Sequence, residues 1–315
     1  MRIDRALYPF ESHSFDRGGL RYHYVDEGAG WAGKTDAPGG GATGARGGVL
    51  LFVHGNPTWS FYYRNLIAAL RGRYRCVAPD HIGCGLSDKP GDDAYEYTLA
   101  RRIDDLCALI EQLDLRDLTL VLHDWGGMIG MGAALRFPER VRRLVLFNTA
   151  AFLLPAGRTL PLRLRVIRSG GPLAALLVRG GNLFAGGATR MAVTRPMQPE
   201  VRAGYLAPYG SWRDRIATLR FVEDIPLRRG DPSYAAAESI DRGMLRFAGL
   251  PALICWGMRD FVFDRHFLTE WRRRYPGAEV HEFVEAGHYV LEDAGQEILP
   301  ILERFLDRTE MPATG

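Results

Sequence analysis

The sequence predicts an α/β fold: a mostly parallel sheet flanked by helices and split by an inserted, mainly helical segment. Three observations predict it. From residue 49 to 150, short apolar runs alternate with amphipathic stretches, the rhythm of strand–helix–strand units joined by right-handed crossovers. After Ala150 the rhythm stops, and residues 151–225 are rich in Leu, Gly, Pro and Arg without a buried-strand pattern. It resumes at 251-PALICWG-257. The chain therefore reads as a core of 1–150 and 226–315 carrying a cap of 151–225, which suits 315 residues.

Each element has its own signal. Residues 20-LRYHYVDEG-28 alternate in strand fashion. Residues 29–48 are Gly-rich and aperiodic, a flexible loop. Apolar runs at 49-VLLFV-53, 75-RCVAPD-80, 118-LTLVLHD-124 and 143-RLVLFNTA-150 read as buried parallel strands. Helices are expected near Tyr62–Arg71, over 98–115 and over 127–141. In the second of these, Ile103, Leu106, Leu109, Ile110 and Leu113 share one face. Beyond the strand at 251–257 come a helix through Trp271 and Arg272, a strand near 279–284 and a last helix over 297–306.

Composition narrows the function classes. With 47% apolar residues, 24% charged residues and a net charge of +3, the chain reads as an ordinary globular protein. It has no basic helix or zinc-finger spacing, so no nucleic-acid partner is expected. Cys76, Cys84, Cys107 and Cys255 form no C-x-x-C pair, and read as separate reduced thiols of a cytoplasmic protein. The N-terminus has no signal-peptide core, and no run is apolar enough to span a membrane. Gly28 through Thr35, GAGWAGKT, satisfies a phosphate-loop pattern, but the TDAPGGG after it cannot start the helix that would hold the phosphates. The match is read as chance, and no cofactor or metal is expected. A nucleotide-dependent or nonenzymatic binding protein would use that loop and the basic cap.

The chemistry centres on 121-VLHDWGGMIG-130, a strand feeding a tight turn into a helix. Such a turn exposes its central side chain, here Asp124, and the following glycines let the backbone bend closely. The plain alternative is an N-cap, a favoured place for Asp. Asp260 and His288 each follow a late strand, where parallel sheets place their sites. The order Asp124, Asp260, His288 matches nucleophile, acid and base. A carboxylate suits displacement at a carbon bearing a leaving group, forming an ester that a His-activated water could open. No G-x-S-x-G occurs, which removes the ordinary serine esterase.

Five segments carry a resemblance: 54-HGNPTWSF-61, 79-PDHIGCGLSDKP-90, 123-HDWGG-127, 256-WGMRDFVF-263 and 287-GHYVLED-293. Together they resemble the haloalkane dehalogenase branch of the α/β-hydrolases over nearly the whole chain. That resemblance implies Asp124 as nucleophile, His288 as base and Asp260 as the acid partner of His288. It implies Asn56 and Trp125 as neutral N–H donors to a leaving group or oxyanion. Some relatives carry the acid in a slot that resembles Asn148 here; an amide cannot stabilise an imidazolium by charge, so the acid must come from elsewhere, and Asp260 is available. Fluoroacetate dehalogenases are similar but carry Arg where Trp125 stands. Epoxide hydrolases usually carry an aromatic at the place of Asn56 and two cap tyrosines, for which Tyr205 and Tyr209 are the candidates.

Within the branch, DHIGCGLSDKPGDD, VLFNTAAFLLPAG and the cap stretch 195–227 resemble the β-lactone decarboxylases of bacterial long-chain olefin biosynthesis, the OleB group. The resemblance implies conversion of a cis-β-lactone to a long-chain cis-olefin and carbon dioxide, with hydrolytic haloalkane dehalogenation as the alternative. Leu153, Leu154, Leu162, Leu164, Leu173, Leu176, Leu177 and Phe184 supply apolar material for a long-chain tunnel or for packing cap on core. From Ala151 to Pro199 there are seven Arg and no Asp or Glu. That is a solvated face or a docking surface for an olefin-biosynthesis enzyme complex or a membrane.

Overall fold

The computed structural model describes residues 3–28 and 48–309. Most of the Gly-rich 29–48 loop and of the GAGWAGKT stretch lies outside the described residues. In chain order the core begins with β1 (His13–Asp16), β2 (Arg21–Glu27), β3 (Val49–Val53), α1 (Arg64–Leu70) and β4 (Arg75–Pro79). It continues with α2 (Leu99–Gln112), β5 (Leu118–Asp124), α3 (Gly126–Arg136) and β6 (Val141–Thr149). Five helices follow: α4 (Leu162–Arg168), α5 (Gly171–Ala175), α6 (Leu183–Met191), α7 (Pro199–Leu206) and α8 (Ile216–Glu223). Then come α9 (Tyr234–Gly243), β7 (Ala252–Gly257), α10 (Arg265–Arg274), β8 (Glu279–Phe283) and α11 (Val290–Arg308).

Among the described residues the strands form one sheet in the order β1-β2-β4-β3-β5-β6-β7-β8. β1 and β2 pair antiparallel, as do β2 and β4, and every pair from β4 to β8 is parallel. β3, β4 and β5 are buried along their whole length, so both faces of each strand must be apolar. Alternate residues serve opposite layers: Leu51 and Val53 join the cluster with α2, α3 and α10, whereas Leu50 and Phe52 join that with α1 and α11. Each fully buried side chain of this kind stabilises by roughly 1.5–3 kcal/mol.

Register sets the strand ends level. Val53 pairs with Leu122, Asp124 with Thr149 and Phe147 with Cys255, so the segments leaving β3, β5, β6 and β7 emerge side by side. α3 begins so close to β3 that a Cβ on Gly126 would stand 1.9 Å from the Val53 carbonyl oxygen. Backbone offers no rotamer to move aside. Gly126→Ala is therefore expected to cost at least about 3 kcal/mol, lowering Tm by about 6 °C or more. A melting curve superimposing on the unsubstituted protein would show that the turn yields.

The structure adjusts several expected elements. The helix near Tyr62–Arg71 is a 3-10 turn over Ser60–Tyr63 followed by α1. α2 starts at Leu99 because the Thr98 side chain accepts the Arg101 N–H and caps it. α3 ends at Arg136 rather than 141, because Pro138 and a short 3-10 turn break it. The last helix starts at Val290, seven residues before the expected start. β1 and α9 had no legible pattern in the sequence.

Candidate active site

Asp124 closes β5 with φ at +52°, a left-handed backbone that non-glycine residues rarely adopt. It is not an N-cap: Trp125 holds that position, and no side chain caps α3. The strain instead lifts the carboxylate out of the strand toward the segment leaving β3. There Oδ1 accepts the Asn56 backbone N–H at 2.6 Å. Thr149 Oγ1 donates to the Asp124 carbonyl, fixing the turn from the neighbouring strand. Gly55 leaves the room: a Cβ there would lie 2.0 Å from Asp124 Oδ1.

Asp124 Oδ2 lies 3.5 Å from His288 Nε2, and His288 Nδ1 lies 2.7 Å from Asp260 Oδ2. All three side chains are buried. Burial pulls the His288 imidazole down, but the Asp260 carboxylate and the hydrogen bonds to Asp124 and Asp260 outweigh it, holding the ring up to about 10. Burial pushes Asp124 up, and the hydrogen bond and charge of His288 reverse this, so its carboxyl lies below the ordinary range. Both shifts favour a protonated His288 ring facing the Asp124 carboxylate.

Two residues that the motifs did not single out for a role position this pair. Asn148, with φ at +33°, donates from Nδ2 to Asp260 Oδ2 at 3.0 Å and to the Gly257 carbonyl at 3.0 Å, while its Oδ1 accepts the Gly257 N–H at 2.8 Å. Asn148 thus supplies an amide that orients the Asp260 carboxylate. Asp260 Oδ1 accepts the N–H groups of Val262 and Phe263, completing its cradle. His123 donates from Nε2 to the His288 carbonyl at 3.0 Å, since a carbonyl only accepts. Burial and the His288 charge hold His123 down to about 3, so it stays neutral. The signal was present in the HDWGG segment, but one sequence could not pair it with a residue 165 positions away.

Asn56 and Trp125 flank the carboxylate and both line the adjoining cavity. The Asn56 side chain is tied to α8: Nδ2 donates to the Thr218 carbonyl at 3.0 Å, and Oδ1 is buried without a hydrogen-bond partner. Its second amide N–H remains for a ligand. The Trp125 ring packs on Phe221 with centroids 5.4 Å apart, and its indole N–H has no protein partner among the described residues. Behind them His54 Nδ1 donates to the Gly55 carbonyl, and His54 Nε2 accepts the His81 N–H, bracing the loop.

The cavity measures about 580 Å³ and has Asp124 and His288 on its wall. Its remaining lining is almost wholly apolar, with Leu153, Leu164, Ile167, Leu177, Val178 and Phe184 from the stretch after β6. Two of the expected tunnel residues do not take part. Leu173 and Leu176 are absent from the lining and are 62% and 61% exposed, because their helical phase turns them outward while Leu177 and Val178 turn inward. Among the described residues no cluster of three or more His, Cys, Asp or Glu side chains is arranged to hold a metal ion.

The α/β hydrolase fold family model matches residues 48–295, which span both sides of this site. The chain belongs to the α/β-hydrolase family. Among α/β-hydrolase relatives, it is 50% identical over 311 residues to the cis-3-alkyl-4-alkyloxetan-2-one decarboxylase of Shewanella oneidensis, covering 98% of this chain and 92% of the relative. The protein of the same name from Xanthomonas campestris pv. campestris is 42% identical, covering 96% and 98%. The crystal structure of the haloalkane dehalogenase DatA from Agrobacterium tumefaciens C58 superposes with a TM-score of 0.79 at 25% identity, covering 95% of this chain and 97% of that one. Members of this α/β-hydrolase family with these names are enzymes, and so is this chain. The two tyrosines weighed for epoxide opening are engaged elsewhere: Tyr205 donates to Glu292 and Tyr209 to the Thr58 carbonyl, and neither lines the cavity. The four cysteines are buried and unpaired. No helix among the described residues is long and apolar enough to cross a membrane.

Proposed function

We propose that this enzyme is a cis-β-lactone decarboxylase, converting a 3,4-dialkyl-oxetan-2-one to a cis-olefin and carbon dioxide. The observation that carries the reading is the 50% identity, over almost the whole chain, to the Shewanella oneidensis decarboxylase. The geometry supplies a chemistry that balances. Asp124 attacks the ring carbon bearing the ring oxygen from the face opposite that oxygen. The C–O bond breaks and its electron pair leaves as a carboxylate, toward the free N–H groups of Asn56 and Trp125. That carboxylate then departs as carbon dioxide. Its C–C bonding pair forms the double bond, and the Asp124–carbon bond breaks to restore the aspartate. Inversion in the first step and anti departure in the second together keep the alkyl groups cis.

No water enters this cycle. His288, held by Asp260, carries its proton and stabilises the departing Asp124 carboxylate. In a hydrolytic dehalogenase the same ring would serve as base toward water. Residues 151–225 act as a cap whose apolar inner face receives the alkyl chains. The reading places the enzyme in the cytoplasm, where an insoluble substrate must be delivered through an olefin-biosynthesis assembly or at a membrane surface.

Gas chromatography of purified enzyme with a cis-dialkyl β-lactone tests the reading. An olefin peak well above the no-enzyme control is expected. Intact lactone, together with halide release from bromoalkanes, would overturn it in favour of haloalkane dehalogenation, which the likeness to DatA supports.

A further inference from the structure

The wall of the cavity is also part of the molecular surface. Leu162, Val166, Leu183, Met191 and Phe261 all line it, yet they are 71%, 41%, 58%, 46% and 43% exposed. Side chains that face both a cavity and solvent must ring its mouth. Arg163 lies among them, with its guanidinium 2.8 Å from the Met191 sulfur, which brings α4 and α6 together at the opening. Leu173, Leu176 and Trp212 of the neighbouring stretches are exposed as well, and Arg179 stacks on Trp212 at 4.7 Å.

The stretch that supplies most of this rim carries charge of one sign. Residues 151–199 contain seven Arg and no carboxylate. Arg158 and Arg168 are neutralised by Asp264 and Asp231. Arg163, Arg165, Arg190 and Arg195 have no acidic partner among the described residues. Leucines interleaved with unpaired arginines, beside an Arg-stacked Trp, are the composition of a surface that lies in a lipid interface: apolar tips enter the acyl region and guanidinium groups meet phosphates.

We propose that this rim seats the cavity mouth on an anionic lipid bilayer. The purpose rests on the dialkyl-lactone reading above: substrate and olefin would pass between bilayer and cavity without crossing water. A lipid surface, rather than a protein socket, fits because the apolar groups encircle an opening. A protein seated there would seal the passage, whereas acyl chains are continuous with it.

Co-sedimentation with vesicles tests this without using the reaction. The protein is expected to pellet with phosphatidylglycerol/phosphatidylcholine vesicles and to bind pure phosphatidylcholine, or anionic vesicles in about 0.5 M salt, at least about tenfold more weakly. Each interfacial arginine contributes about fivefold, so Arg165→Glu/Arg190→Glu should weaken binding by at least about tenfold. Leu173→Glu/Leu176→Glu should do the same through the apolar contribution. These four side chains do not line the cavity, so turnover of a short, soluble lactone should be unchanged in both variants, which also reports folding. Wild-type protein left in the supernatant with anionic vesicles would overturn the proposal and assign the face to a protein partner. So would either pair of variants binding as wild type. Olefin formation in that case would leave the decarboxylase reading standing.

Discussion

Asp124→Asn is expected to lower olefin formation by at least about 10⁴-fold, while His288→Phe lowers it by only about 10- to 100-fold and keeps turning over. Asn is the suitable replacement because it tolerates the left-handed backbone at φ +52°. It removes the nucleophile and leaves the turn. The contrast with His288 follows from the cycle proposed above. Loss of carbon dioxide regenerates Asp124 by itself, so no base is needed to open an ester. His288 contributes the positive charge facing Asp124 Oδ2 at 3.5 Å, which favours the departing carboxylate. In a hydrolytic cycle the outcome reverses. His288→Phe would stop after one turnover, with an adduct of the lactone's mass on every Asp124. Intact-protein mass spectrometry beside the olefin assay separates the two. Stoichiometric adduct with olefin release halted would show that the adduct cannot collapse without the imidazole, and the modest contribution assigned to His288 would fall.

How much of this site was legible in the sequence follows from what each residue depends on. Asp124, Asp260 and His288 were legible because Asp124 ends β5 and the other two follow β7 and β8 by a few residues, and parallel strands bring such ends together. Their partners were not. Asn148 lies in the apolar strand 143-RLVLFNTA-150, and only its left-handed φ and the level register of β6 and β7 turn its amide onto Asp260. The break in the strand–helix rhythm after Ala150 was legible, but the helical phase of the residues beyond it was not. Leu173, Leu176, Leu177 and Val178 look alike in the sequence, yet two are exposed and two line the cavity. Phase there is set by packing on α8 and by the Gly170–Gly171 break, both at positive φ, which periodicity alone does not date to a residue.

Glu292→Leu is expected to cost about 3–5 kcal/mol, a large share of the stability of an ordinary domain. Its carboxylate accepts two hydrogen bonds from Arg64, at 2.6 and 3.0 Å, and one from the Tyr205 hydroxyl at 2.5 Å. The side chains of Arg64 and Glu292 are only 4% and 11% exposed. One carboxylate on α11 thus ties α1 to α7. Removing it strands a buried guanidinium that keeps the Phe61 carbonyl at 3.1 Å, the Phe61 ring at 4.3 Å and the Tyr205 ring at 5.9 Å. Arg64 cannot shed its proton to escape, because a guanidinium stays charged inside proteins. Tyr205 loses its acceptor at the same time, which loosens α7 against the core. The cost is attributed to the orphaned cation, so taking the cation away should recover most of it. Arg64→Met/Glu292→Leu, of similar volume, should melt within about 1–2 kcal/mol of the unsubstituted protein in a denaturant titration. A double variant as unstable as Glu292→Leu alone would instead place the loss on Tyr205 and the α7 contact. The same measurement therefore decides whether the buried ion pair or the tyrosine joins α7 to α1 and α11.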